Sequence, residues 1–386
     1  MNKHHFALLA ELLAQPTAPF REDHIVEVAT RTLRIAGVPF FRDPVGNIVV
    51  GCASRSHYLR LVREKNREPL RLFIAHMDHP GFHGLRWISR QRLRIKWHGG
   101  SPIKHLTGSR VWLATRDGTL TEGKLDRVRL TKTKHGIDTA DVTLARPLTG
   151  TQPRAETIYG AFQFRAPVWR AGKRLYTKAA DDLVGVFSIL NTAIELFSRG
   201  RKKQPPFLGL LTRGEEVGFV GAVGHFELGW LSDAPRPIVC VSLETSRTLP
   251  GAVVGKGPVV RLGDRRTVFN PNHLKVLTDI AQKILPKKHQ RRIMDGGTCE
   301  ATAATVYGLP AIGISVPLGN YHNQCFEGAP GCKPQGPAPE FVHLDDIEGM
   351  LKLCQGLMQE NLPWTDPWNN QQRLMRKNLK RYKKFL

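Results

Sequence analysis

Long apolar runs are missing from this 386-residue chain. No stretch reaches the roughly 18 apolar residues that a membrane-spanning helix needs. Close cysteine pairs are missing as well. Cys52, Cys240, Cys299, Cys325, Cys332 and Cys354 stand apart without a CxxC pair, which reads as reduced thiols in a cytoplasmic protein rather than a disulfide framework. No internal repeat recurs at a fixed period. The start, Met1 to Glu11, has no small-residue cleavage pattern and reads as a first amphipathic helix rather than a signal peptide. Acidic residues are scarce relative to basic ones, 33 against 57, for a net charge of +24. Nucleic-acid motifs such as a zinc finger or an aromatic RNP pattern are also absent.

The excess positive charge is partly local. From Arg373 to Lys384 there are seven basic residues and no acid, interleaved with Leu374, Met375, Leu379 and Tyr382 at roughly helical spacing. Arg90, Arg92, Arg94 and Lys96 alternate with Gln91, Leu93, Ile95 and Trp97, as on a strand with one basic face. Such patches suit nucleic acid, an anionic membrane or an acidic peptide. A solvated basic face is the simpler reading.

With 41% hydrophobic residues the chain can build one large domain, or a main domain with a smaller insert. His5 to Ala14 and Arg21 to Ala36 read as helices. Pro39 to Val50 is a strand and turn around Asp43-Pro-Val-Gly-Asn47. Leu70 to Ala75 is an apolar strand ending at His76. From about Phe82 to Lys173 short alternating segments with scattered Gly and Pro predict a β-rich insert. Asp181 to Arg199 predicts an amphipathic helix, and Asn272 to Ile284 and Asp345 to Gln359 two more. Phe207 to Thr212, Pro237 to Leu243 and Ala311 to Val316 are short apolar strands between helical stretches. This alternation predicts an α/β fold, a mixed sheet covered by helices with functional groups at strand ends. Ala329 to Pro339 reads as an irregular loop.

Five segments place a His or carboxylate at the edge of an apolar run: His76-Met77-Asp78, Ala180-Asp181-Asp182, Gly214-Glu215-Glu216, Leu243-Glu244-Thr245 and Tyr321-His322-Asn323. Ionised groups brought out of water cost several kcal/mol each, roughly, unless cations or hydrogen bonds compensate. A metal pair is the simplest compensation. Asp78 suits the role of carboxylate partner to a metal-bound His76. In Asp181-Asp182 one acid suits helix capping and the other can bridge two cations. Of Glu215 and Glu216, one can ligate while its neighbour takes a proton from water as general base. Taken singly, each segment is more often structural than functional; their order carries the signal.

That order resembles metallopeptidase family 42, the tetrahedral and glutamyl aminopeptidases of the dinuclear zinc exopeptidase clan. The matching text is "DPVGNIVV", "IAHMDHPGF", "TKAADDLVGVFSIL", "LTRGEEVGFVGA", "VVGKGPVVRLGD" and "DGGTCEATAATVYGLPAIGISVPLGNYHN". The resemblance implies a zinc exopeptidase-like catalytic domain, discontinuous over 1–81 and 174–370. It implies an inserted barrel-like domain over 82–173 for dimerisation or dodecameric assembly, and leaves 371–386 as a basic tail. It implies that Asp181 bridges two divalent metals, zinc with cobalt or manganese as substitutes. His76 and Glu244 would complete one site and Glu216 and His322 the other, with Glu215 as general base and Asp78 orienting His76. Peptides are the implied substrates and a homo-oligomer the implied assembly.

Three features depart from the family pattern. Glu244 stands where Asp is usual, Glu300 takes a displaced place in the motif around Gly296-Gly297-Thr298-Cys299, and Leu183 and Asn320 replace basic residues. Glu300 is a candidate anchor for a substrate α-amino group, which favours an aminopeptidase acting on short peptides. Glu244 keeps carboxypeptidase, dipeptidase or deacylase chemistry open. A non-catalytic protein using a basic surface to hold nucleic acid is a third reading, and the intact ligand set weighs against it.

Overall fold

The structure, a computed structural model, describes residues 1–148, 150–198, 204–329 and 331–386. Its centre is an eight-stranded mixed sheet. In spatial order the strands are Phe40–Arg42, Ile48–Val50, Phe207–Thr212, Leu70–His76, Ile238–Arg247, Ala311–Leu318, Val259–Asp264 and Gln290–Met294. The middle four run parallel. Leu70–His76 is buried along its whole length, as expected of a parallel strand covered on both faces. Each Leu, Ile or Phe so enclosed contributes about 1.5–3 kcal/mol.

Register places the carboxyl ends of the parallel strands at one level. Thr212 pairs with His76, and Glu244 with Ser315. One rim of the sheet therefore delivers His76, the Arg213-Gly214-Glu215-Glu216 turn, Glu244 and the turn holding His322.

Helices Leu183–Ser198, Leu344–Leu357 and Pro271–Ile284 pack in sequence with one another and on these strands. A second pair, Val220–Glu227 and Glu300–Val306, packs together, and Glu300–Val306 also packs on Ile238–Arg247 and Ala311–Leu318. Leu183–Ser198 differs from its amphipathic expectation. Polar Ser188, Asn191 and Thr192 are buried beside its leucines, because each satisfies itself on a backbone carbonyl four residues back. Arg199, the last residue of that expected helix, and Pro330 in the expected irregular loop lie outside the described residues.

The β-rich stretch closes into a six-stranded barrel. Its strand order is Gly81–Ser89, Arg92–His98, Ile137–Leu144, Gly118–Leu130, Arg110–Thr115 and Tyr159–Phe162. Alternation in Arg92–His98 turns Leu93, Ile95 and Trp97 into the barrel core with Phe82, Val142 and Phe162. The outward Arg92, Arg94 and Lys96 do not form a free cationic face. They pair with Asp141 and Asp138 of the adjacent strand Ile137–Leu144 and with Asp126 of the strand beyond it. A further small sheet joins Val168–Ala171, Arg174–Thr177 and Glu340–His343, and its register sets Glu340 opposite Thr177. No helix among the described residues is long and apolar enough to cross a membrane.

Candidate metal centre

His76 ends its strand buried, and its ring Nδ1 donates to the Asp78 carbonyl oxygen at 3.0 Å. That hydrogen bond leaves Nε2 as the free nitrogen. Nε2 faces Asp181 Oδ1 at 3.5 Å and Glu215 Oε2 at 3.8 Å. On the opposite side, His322 Nε2 lies 3.7 Å from Asp181 Oδ2 and 3.1 Å from Glu216 Oε2. The two oxygens of Asp181 are thus divided between two imidazoles. Ligand atoms of His76, Asp181 and Glu216 lie within 4.8 Å of one another, as do those of His76, Glu215 and Glu244.

The acid pair at 181 and 182 splits its duties as the sequence suggests. Asp182 Oδ1 accepts from Gly185 N at 3.1 Å and from Thr245 Oγ1 at 2.9 Å, capping the helix that follows. Asp181 faces the histidines.

The turn carrying Glu215 and Glu216 is held through its backbone. Arg213 N donates to Asn47 Oδ1, Gly214 N to Glu22 Oε1, Glu215 N to Asp78 Oδ1 and Glu216 N to Asp78 Oδ2, at 2.9–3.2 Å. Four successive N–H groups end on three buried side chains. Gly214 takes φ +62°, a left-handed conformation that glycine adopts freely, and any Cβ there would press into the Phe20 ring. The Asp78 carboxylate therefore serves the Glu215-Glu216 turn directly; its Oδ1 is 3.6 Å from His76 Nδ1.

Several groups at the centre carry no local sequence mark. Glu340, buried, accepts from Ala180 N at 2.7 Å and from His322 N at 2.9 Å, tying the Asp181 and His322 segments together. Its only sequence signal is an acid opening the apolar run Phe341-Val342. His79 Nδ1 donates to the Asp181 carbonyl oxygen at 2.9 Å. Arg261 is buried 4.0 Å from Glu244, and its Nη1 donates to Ser246 Oγ. With Tyr321, Met294 and Thr298 it lines a small cavity opening beside Glu244. Gly100, in the loop after the second barrel strand, packs on the His322 ring so tightly that a Cβ would fall 2.0 Å from Nδ1.

Electrostatics mark the same groups. Burial pushes the Glu215 carboxyl well above its usual range, and Glu244, Glu216 and Glu300 push it further against the pull of His76. Burial does the same to Glu244, with Asp181 adding. For His76 burial acts downward, yet Glu215, Asp181 and Asp78 outweigh it and the ring is raised. Glu300 is 1% exposed; its Oε1 accepts from Thr212 Oγ1 at 2.6 Å and its Oε2 has no partner. Burial raises this carboxyl to about 7.

Asp181 Oδ1, Glu216 Oε1 and His322 Nε2 are buried without a hydrogen-bond partner. Buried acceptors are rarely left unpaired, and a set of converging carboxylate and imidazole atoms with no thiolate is a donor set for a divalent cation. The residues fit such ions.

Known proteins give the same picture. The sequence matches the family model described as M42 glutamyl aminopeptidase over residues 59–326. A search of curated proteins finds no match. Among solved structures, the fold resembles an aminopeptidase from the archaeon Desulfurococcus kamchatkensis (TM-score 0.70, 21% identity, 94% of this chain and 96% of that one). It also resembles the TET1 peptidase of Pyrococcus horikoshii (TM-score 0.69, 19% identity, 92% and 99%). An M18-family aminopeptidase from Thermotoga maritima shares the fold more distantly (TM-score 0.63, 13% identity, 93% and 97%). A match over this much of the chain, on a fold and donor set of this kind, means that the protein belongs to the M42 glutamyl aminopeptidase family and is a metal-dependent aminopeptidase.

Proposed function

We propose that this aminopeptidase uses two divalent cations, zinc by preference, to remove N-terminal residues from short peptides. The carrying observation is Asp181, whose two oxygens face His76 and His322 separately. In this reading Asp181 would be shared by both ions, with His76 and Glu244 holding one and Glu216 and His322 holding the other. When bound, the ions supply Lewis acidity toward the scissile carbonyl and the attacking water. Glu215 takes the proton of that water and returns it to the departing amine, a role suited to a carboxylate raised by burial. Asp78 fixes the backbone of Glu215 and Glu216 so that one acid ligates while the other moves a proton.

Glu215→Gln tests the assignment. Turnover is expected to fall about 10²–10⁴-fold with metal content retained; loss of metal together with activity would make Glu215 a ligand or a structural support. Direction of attack is read by comparing unblocked and N-acetylated peptides. Cleavage confined to unblocked ones supports the aminopeptidase, and cleavage of acetylated ones moves the reading to carboxypeptidase or deacylase chemistry. The amine-anchoring role of Glu300 needs its free Oε2 to reach substrate. A rise in KM at constant kcat in Glu300→Gln supports that role; a fall in kcat alone assigns Glu300 to the electrostatics of Glu215.

The proposal extends to organisation. Residues 1–81 and 174–370 form the catalytic domain, and 82–173 serve assembly into a homo-oligomer. A related Pyrococcus horikoshii peptidase is described as assembling into a tetrahedron or a large octahedral shell. Six cysteines, all unpaired and five of them buried, support a reducing, cytoplasmic setting.

A further inference from the structure

The basic C-terminal segment plays no part in the metal centre. Asn369–Tyr382 is a helix with no buried residue. At its base Trp368 Nε1 donates to Asn272 Oδ1. None of its basic residues forms an ion pair among the described residues, whereas Arg92, Arg94 and Lys96 on the barrel are all matched by acids.

Helical spacing sorts the side chains into two faces. Leu374, Met375, Leu379 and Tyr382, at i, i+1, i+5 and i+8, share one side, and each is at least half exposed. Arg373, Arg376, Lys377, Lys380 and Arg381, at i, i+3, i+4, i+7 and i+8, share the other. Phe385 and Leu386 extend the apolar end, 75% and 97% exposed. An isolated helix of this length is marginal in water without a covering partner.

We propose that this helix is a peripheral anchor for an anionic lipid bilayer surface. The choice of occupant follows from charge and from the use of both faces. A bilayer interface takes the apolar face into the acyl boundary and the basic face among anionic headgroups. Nucleic acid would engage only the basic face and leave four large apolar side chains in water. A second copy paired through the apolar faces would cover those four side chains but leave both basic faces outward without counter-charge.

The test uses full-length protein and co-flotation with two kinds of vesicle, phosphatidylcholine alone and phosphatidylcholine with phosphatidylglycerol. Binding is expected to the anionic vesicles only. It should weaken about tenfold or more in Leu374→Ser/Leu379→Ser, which keeps every charge, and also in Arg376→Gln/Lys377→Gln/Lys380→Gln, which keeps the apolar face. Peptide cleavage in solution should be the same in both variants. Equal binding by the leucine variant would overturn the proposal, because the surface would then be a purely electrostatic one. So would absence of vesicle binding with retention of a short RNA or DNA duplex, or a change in oligomer size on removing 369–386 without any vesicle binding.

Discussion

Glu340 accepts three backbone N–H groups, from Ala180, Asp181 and His322, so its value lies in having two acceptor oxygens. Glu340→Gln replaces one of them with a donor that opposes an N–H. The expected result is a metal affinity lowered about 10–100-fold in a folded protein, read by chelator competition; unchanged affinity would sink the idea that Glu340 holds the ligand segments in place. Gly100 acts through contact rather than hydrogen bonding. Gly100→Ala places a methyl group on the His322 ring, and the ring must move away from Glu216 and Asp181. Elemental analysis should then show bound metal falling from the proposed number of about two toward one per chain, while unchanged occupancy would mean that the loop yields instead. Both predictions concern residues whose sequence neighbourhoods are unremarkable. The candidate ligands His76, Asp181, Glu216, Glu244 and His322 could be picked out because their segments lie at the edges of apolar runs and follow one another in a telling order; Glu340 opens a run, and a glycine in a loop looks like any other.

The barrel strands carry a second pair of histidines that the sequence does not single out. His83 and His98 lie side by side on adjacent strands with ring centroids 4.5 Å apart, and His83 Nε2 donates to the Pro19 carbonyl oxygen. Burial, with His98 adding, lowers the His83 ring to about 4 from 6.5. A depressed folded-state value means that the unfolded chain binds the proton more readily. His83 therefore costs nothing above about pH 6.5 and removes stability as pH falls toward about 4. In His83→Gln, whose amide can still donate to Pro19, the melting temperature should fall less steeply across that window. An unchanged slope would place the acid sensitivity elsewhere. The longer elements were marked in the chain, since period-2 and helical patterns separate strands from helices, whereas the strands Val259–Asp264 and Gln290–Met294 at one end of the sheet and the short helices Arg55–Arg63, Val220–Glu227 and Glu300–Val306 were not read from it. What alternation in Arg92–His98 could not show is that its outward cations meet acids on other strands.

At the scale of the whole molecule, the proposed metal centre joins strands, turns and a barrel loop that are distant in sequence, so cations bound there would stabilise the native arrangement as a unit. Ions in thousandfold excess over their Kd contribute about 4 kcal/mol per site. Chelation should therefore lower the melting temperature by several degrees and zinc should restore it; a chelation-insensitive melting curve would count against ions at this centre. The sequence by itself determined the fold class, the central strands and main helices and the chemical types of the donors, because these follow from short-range periodicity and from polar residues at the edges of apolar runs. Only the tertiary structure decided which groups meet. Gly214 finds Glu22 across 192 residues and Ala180 finds Glu340 across 160, and Arg92, Arg94 and Lys96 of one barrel strand find acids on others. Those pairings depend on strand register and loop path, which bring together residues too far apart for any local pattern to connect.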